Sequence, residues 1–164
     1  MLILGIDPGS TRVGYGLIKK EKNDLKLIKS GLLKISSKDK IQRLLEIESQ
    51  FSKLLESNRP DLVVMEKIFF MKNLKTALEV AQSRGVLTLI VAKHKISLLE
   101  LAPSEIKTAV TGYGRADKKS VAKMVVLILK LKIEEIKGPD DITDAIATAI
   151  AGSNNLFFKG LQQI

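Results

Sequence analysis

The chain contains no cysteine and no tryptophan, one histidine, and only five phenylalanines and two tyrosines among its 164 residues. Without cysteine there are no disulfides and no thiolate zinc sites, which fits a reducing interior. No run of about 18 apolar residues occurs, so no membrane-spanning segment is expected. The apolar start "MLILGID" reaches an acid at Asp7, too soon for the core of a secretory signal. Acidic residues are in short supply as well, 18 against 27 Lys plus Arg, for a net charge of +9. That excess favours a polyanionic partner, nucleic acid ahead of an anionic membrane surface, although positive charge also serves plain solubility. The length and the 45% hydrophobic content predict one globular domain over residues 1–164.

What is present is ordered as strands first and helices later. Residues 2–7 form a short apolar run ending in an acid, a buried strand. Pro8-Gly9 turns the chain, Val13, Tyr15 and Leu17 alternate as a second strand, and residues 25–36 make a third. Apolar residues then recur every three or four positions from Ile41 to Leu55, with Ser36 or Ser37 as the cap and Arg59-Pro60 as the stop. Residues 61–67 read as a strand that also ends on an acid, Glu66. A helix over 73–93, a strand over 96–102 and a short helix over 103–111 opened by Pro103 follow. A glycine-broken loop leads to a helix over 118–132, and a last helix starts after Pro139. Gly9, Gly14 and Gly16 fit no phosphate-binding fingerprint and are assigned to turns. The order β-β-β-α-β-α-β followed by helices predicts an α/β fold, a mixed five-stranded sheet with helices on both faces.

Acids mark the functional positions. If the strands ending at Asp7 and Glu66 are parallel neighbours, both carboxylates leave the same edge of the sheet, where open α/β sheets bind ligands. One acid at a strand end means little; two, joined by a helix-borne pair, are harder to dismiss. Asp144 follows Asp141 by three residues and Asp140 by four, so either earlier acid can share its helix face. Capping and the helix dipole account for one acid at such a start, and Asp140 is assigned to that role. Asp144, a full turn inside, is poorly explained by capping. Four hard oxygen ligands in a chain with no cysteine and one histidine select Mg²⁺ or Mn²⁺ over zinc or copper. Carboxylate-held Mg²⁺ in a basic protein points to phosphoryl transfer, and a two-ion site would hydrolyse phosphodiesters without a covalent intermediate.

The segments "GIDPGSTRVGYG" (5–16), "MEKIFFMKN" (65–73), "AQSRGV" (81–86), "GYGRADKKSV" (112–121) and "DDITDAIATAI" (140–150) resemble, in this order, the RuvC family of Holliday junction resolvases. The resemblance covers residues 2 to about 153 and leaves a short C-terminal tail with no assigned function. It implies a ribonuclease H-like fold, a homodimer, and Mg²⁺-dependent nicking of two opposed strands of a four-way DNA junction in recombination and repair. Mn²⁺ would substitute, and two ions would act per site. Asp7, Glu66, Asp141 and Asp144 would be the catalytic metal ligands; the family pattern Asp-x-x-Asp/His-Ala selects Asp141 over Asp140. Lys107 and Lys118 would meet the scissile backbone, and Phe69 would meet bases near the crossover. Phe70 adds a second ring beside Phe69, and Lys119 doubles Lys118. The RuvA–RuvB branch-migration complex as partner and a bacterial, cytoplasmic, nucleoid-associated location are also implied.

Beside the resemblance, the basic segment 105–132 suits phosphate contacts, with Lys107, Arg115, Lys118 and Lys119 as the expected ones. Lys123, Lys130 and Lys132 are read as a solvated helix face. His94, between two lysines, is read as a surface residue. The rival functions are a ribonuclease H-like nuclease acting on RNA, a junction binder without catalysis, and an actin-like nucleotide module. The last needs a second subdomain for which 164 residues leave no room.

Overall fold

The computed structural model describes residues 1–67, 74–132, 135–136 and 138–161, the side chains of 74–76 and 155–161 excepted. The first three strands, β1 (Leu2–Pro8), β2 (Val13–Glu21) and β3 (Asp24–Leu32), form an antiparallel meander. Helix α1 (Lys40–Asn58) returns the chain to β4 (Leu62–Glu66), which pairs parallel to β1. Helix α2 (Leu74–Lys93) returns it to β5 (Ser97–Leu101), parallel to β4. The sheet order is therefore β3-β2-β1-β4-β5, with β1 at the centre. Among the described residues the α-helices α3 (Pro103–Thr111), α4 (Lys118–Ile128) and α5 (Asp140–Leu161) follow. This is the expected mixed five-stranded, ribonuclease H-like arrangement.

Each sheet face has its own core. Leu4 and Ile6 of β1, Tyr15 and Leu17 of β2, and Val63 and Met65 of β4 pack with Ile47 and Phe51 of α1 and Leu87 and Ile90 of α2. Ile3, Ile18, Leu62 and Val64 point the other way, against α3, α4 and α5. The split follows the two-residue period of a strand. Central strands buried on both faces read as unbroken apolar runs, as "LILGI" does.

Helix α5 lies unusually close to the sheet. Gly5 and Gly16 are cross-strand partners. A Cβ on Gly5 would come within 2.1 Å of the Ala145 carbonyl oxygen, and one on Gly16 within 2.8 Å of the Ile146 Cα. A Cβ on Gly14 would lie 2.1 Å from the Asp141 carbonyl oxygen. Gly14 and Gly16 are thus not the turn residues that the sequence leads one to expect; they sit inside β2 and make room for the backbone of α5. On the helix side Ala145 and Ala149 are small and fully buried, and Ile146 and Ile150 fill the flanks.

Three boundaries differ from expectation. The cap of α1 is Asp39, whose carboxylate accepts from the Gln42 N–H at 2.9 Å, while Ser36 N–H and Oγ donate to Glu46. β3 stops at Leu32 because its partner β2 begins at Val13, whose carbonyl accepts the Leu33 N–H. α4 ends at Ile128 because Lys130 takes a left-handed φ of 54°, and its ammonium reaches Asp24 at 2.9 Å. The C-terminal tail extends α5 as far as Leu161.

Replacing Gly14 by Ala should force α5 off β2. The expected cost is about 1–3 kcal/mol, the usual range for overpacking, measured as a lower urea midpoint with an unchanged slope.

Candidate active site

The strand period aims the two strand-borne acids. Asp7 follows Ile3 and Gly5 on the α5 face of β1, and Glu66 follows Leu62 and Val64 on the same face of β4. Ile6 pairs with Met65 in parallel register, so Asp7 and Glu66 leave adjacent strands side by side. Across this edge lies the first turn of α5, held by Gly14 beneath Asp141. Asp141 and Asp144, one turn apart, are both half-buried, whereas Asp140 is the first residue of the helix and its side chain is 80% exposed. The four expected acids are brought together, and Asp140 stands at their rim.

Their charges act on one another. Burial, then the carboxylates of Asp144, Glu66 and Asp141, push the Asp7 pKa from 3.8 up to about 7. Burial and Asp144 also raise Glu66, while Lys107, Lys118 and Arg84 pull it back. Positive charge comes from Lys118 at the start of α4, positioned by the Asp117 cap that accepts the Ser120 N–H at 2.7 Å. Its ammonium donates to Asp144 Oδ2 at 3.1 Å and lies 3.8 Å from Asp140. The Lys118 pKa rises in consequence. Among the described residues no three acidic groups already stand at the spacing of a finished metal cage. The donor set nevertheless fits a hard divalent cation: carboxylate oxygens only, and mutual repulsion that a cation would relieve.

Of the expected DNA-contact residues, Lys107 on α3 is half-buried and its charge is felt by Glu66; Arg115 and Lys119 are exposed near the start of α4. Phe69 and its neighbour Phe70 lie outside the described residues. His94 is partly exposed after α2, its Nδ1 2.9 Å from the Ile90 carbonyl.

Two arginines were not singled out from the sequence. Arg12, in the β1–β2 turn, reaches Asp141 at 3.8 Å. Arg84 of α2 donates Nη1 to the main-chain carbonyl of Glu66 at 2.7 Å, and its Nη2 meets the Glu100 carboxylate. Arg84 has a readable signal: it is the one charged residue between Glu79 and Lys93, in an otherwise uncharged stretch of the helix.

Known proteins supply the comparison. A family model described as crossover junction endodeoxyribonuclease RuvC matches residues 3–152. The crossover junction endodeoxyribonuclease RuvC of Petrotoga mobilis is 44% identical over 155 residues, covering 94% of each chain. The structure of Thermus thermophilus RuvC superposes with a TM-score of 0.85 at 28% identity, covering 97% of each chain. The structure of the same organism's RuvC in complex with a Holliday junction substrate gives 0.85 at 26% identity, covering 96% of each.

The raised pKa of Asp7 fixes the sign of a pH effect. The folded state binds this proton more tightly than the unfolded chain, so its contribution to stability is full near pH 4 and is lost as pH rises towards 7. Asp7→Asn should therefore stabilise the metal-free protein at pH 8, by up to about 4 kcal/mol, and leave it little changed at pH 4. Thermal melts of both proteins in chelator across that range check this.

Proposed function

Because the chain belongs to the RuvC family of crossover junction endodeoxyribonucleases, which are metal-dependent nucleases, we propose that it resolves four-way DNA junctions by paired symmetric nicks. The observation that carries this reading is the meeting of Asp7, Glu66, Asp141 and Asp144 at one sheet edge, flanked by Lys118 and Lys107. Asp7, Glu66, Asp141 and Asp144 would hold Mg²⁺, or Mn²⁺ in its place, as two ions during catalysis. Bound there, the ions supply an activated water and stabilise the leaving oxygen of the phosphodiester.

The chain's own residues do the rest. The buried strand ends hold Asp7 and Glu66 rigid, and α5 presents Asp141 and Asp144 from the other side. Lys118 and Lys107 neutralise the incoming scissile phosphate. Arg115 and Lys119, both exposed, hold the neighbouring backbone and carry no sequence information. Phe69 stacks on a base at the crossover, a contact worth about 1–3 kcal/mol. Residues 1–164 act as one domain, a reading supported by the packing of C-terminal α5 on N-terminal β1 and β2.

A homodimer is supported by the outer side of α2. Leu78, Gln82, Gly85 and Leu89 are exposed and spaced by four, three and four residues, the spacing of a helix–helix seam. Leu78 is 63% exposed and Leu89 55%, and Gly85 has nothing within 4 Å of where a Cβ would stand. Action with the RuvA–RuvB branch-migration complex, in a cytoplasmic, nucleoid-associated setting, completes the proposal and rests on family membership. Among the described residues no helix is long and apolar enough to cross a membrane.

A synthetic four-way junction with Mg²⁺ should receive paired, symmetric nicks while linear duplex stays largely uncut; equal cutting of an RNA–DNA hybrid would replace this reading with an RNA-directed nuclease. Asp141→Asn should slow cleavage by roughly 10³-fold or more, the several kcal/mol a metal supplies, yet leave junction binding intact. Asp140→Asn should cost little, and loss of activity there would reverse the assignment of the pair. Leu89→Glu should shift the protein to monomer in sedimentation and uncouple the two nicks; a dimer that survives it moves the seam elsewhere.

A further inference from the structure

We propose that Arg84 is a positioning residue for Glu66, holding the peptide from which that carboxylate projects; the inference rests on the reading of Glu66 as a metal ligand. Arg84 approaches the strand ends from the opposite sheet face to α5. Its helix packs Leu87, Ile90 and Val91 into the core of that face. The guanidinium, with its side chain only 11% exposed, forks between two acceptors on two strands, the Glu66 carbonyl at 2.7 Å and the Glu100 carboxylate. A largely buried guanidinium is costly unless its donors are satisfied, and a planar fork satisfies two separated acceptors where an ammonium serves one.

Strand pairing alone does not call for this contact. The Lys67 N–H already donates to the Leu101 carbonyl at 2.7 Å, extending the β4–β5 ladder beyond Glu66. What Arg84 adds is a fixed orientation for the last peptide of β4. Partners of this outer kind orient ligands and tune affinity for the metal without touching it. The neighbouring Gly85 belongs to the exposed row on α2, so the clamp also ties the Glu66 peptide to the helix assigned to the dimer seam.

The full chain as wild type, Arg84→Gln, Arg84→Lys and Glu100→Gln would be titrated with Mn²⁺ without DNA, bound ion being read by electron paramagnetic resonance. The same proteins would be assayed for junction cleavage over a range of Mn²⁺ and for junction binding in chelator. Arg84→Gln should weaken Mn²⁺ binding about 10- to 100-fold, with junction affinity unchanged and cleavage partly recovered by excess Mn²⁺. Arg84→Lys should fall between it and wild type. A lower melting temperature with wild-type Mn²⁺ affinity would make Arg84 merely structural and overturn the proposal. If Arg84→Gln does not fold, Glu100→Gln decides: a several-fold loss of Mn²⁺ affinity supports the clamp, and unchanged affinity overturns it. A wild type that binds Mn²⁺ but leaves the junction intact counts against the functional reading alone; one that binds no Mn²⁺ overturns both.

Discussion

The backbone of α5 touches the backbone of β1 and β2, and the site depends on that approach. Gly5, Gly14 and Gly16 leave no side chain between helix and sheet, while Ala145 and Ala149 keep the helix side thin. An ordinary helix–sheet contact, spaced by large side chains on both surfaces, would stand several ångströms further off. Asp141 and Asp144 would then be too distant to act on Asp7. The glycine row therefore lies upstream of the electrostatics, because it decides that acids from opposite ends of the chain share one small volume.

That proximity conflicts with stability. Asp7 is half-buried among three other carboxylates, and its pKa, raised to about 7, means that desolvation and repulsion keep it from ionising fully until the pH passes neutrality. The fold tolerates this because the scaffold around it is over-determined. β1 is central and buried on both faces, β4 is buried beside it, and α5 contributes Ile146 and Ile150, each fully buried. Burying such a side chain is worth roughly 1.5–3 kcal/mol, so a few of them offset a cluster of this kind. Lys118 offsets part of the repulsion locally through Asp144, and its exposure leaves it able to meet a phosphate instead.

The strand-borne half of the site was legible in the sequence, because a buried strand that ends on an acid reveals the acid's position and the two-residue period its direction. The parallel pairing of β1 with β4, needed to put Asp7 beside Glu66, stands only as a condition in the sequence, because β2, β3 and α1 all lie between the two strands. The sequence points Gly14 and Gly16 to turns rather than to β2, since a glycine inside a strand identifies a close approach only once the approaching element is known. Helical spacing left Asp140 and Asp141 equal as partners of Asp144; in the fold they differ by exposure, Asp140 standing out at the rim. Arg12 and Arg84 went unassigned because their partners lie far away in sequence, Asp141 for one and a main-chain carbonyl for the other. Backbone acceptors leave no trace in a residue pattern.

The sheet also separates two tasks that would interfere on one surface. The α5 face gathers acids and lysines, the groups proposed to meet a charged substrate. The α1–α2 face carries the exposed row on α2 that is proposed as the dimer seam, on the other side of the sheet. Arg84 is the polar connection from the second face to the edge of the first, and it acts on main chain, whose position a strand end holds more stiffly than a side-chain rotamer. A change in the proposed seam would therefore reach the acids through a displacement of the β4 terminus and would leave Lys107 of α3 and Lys118 of α4, the proposed phosphate contacts, alone. On the proposed assignments, the geometry of the acids and the affinity for DNA would rest on different elements, which would allow one to vary while the other is kept.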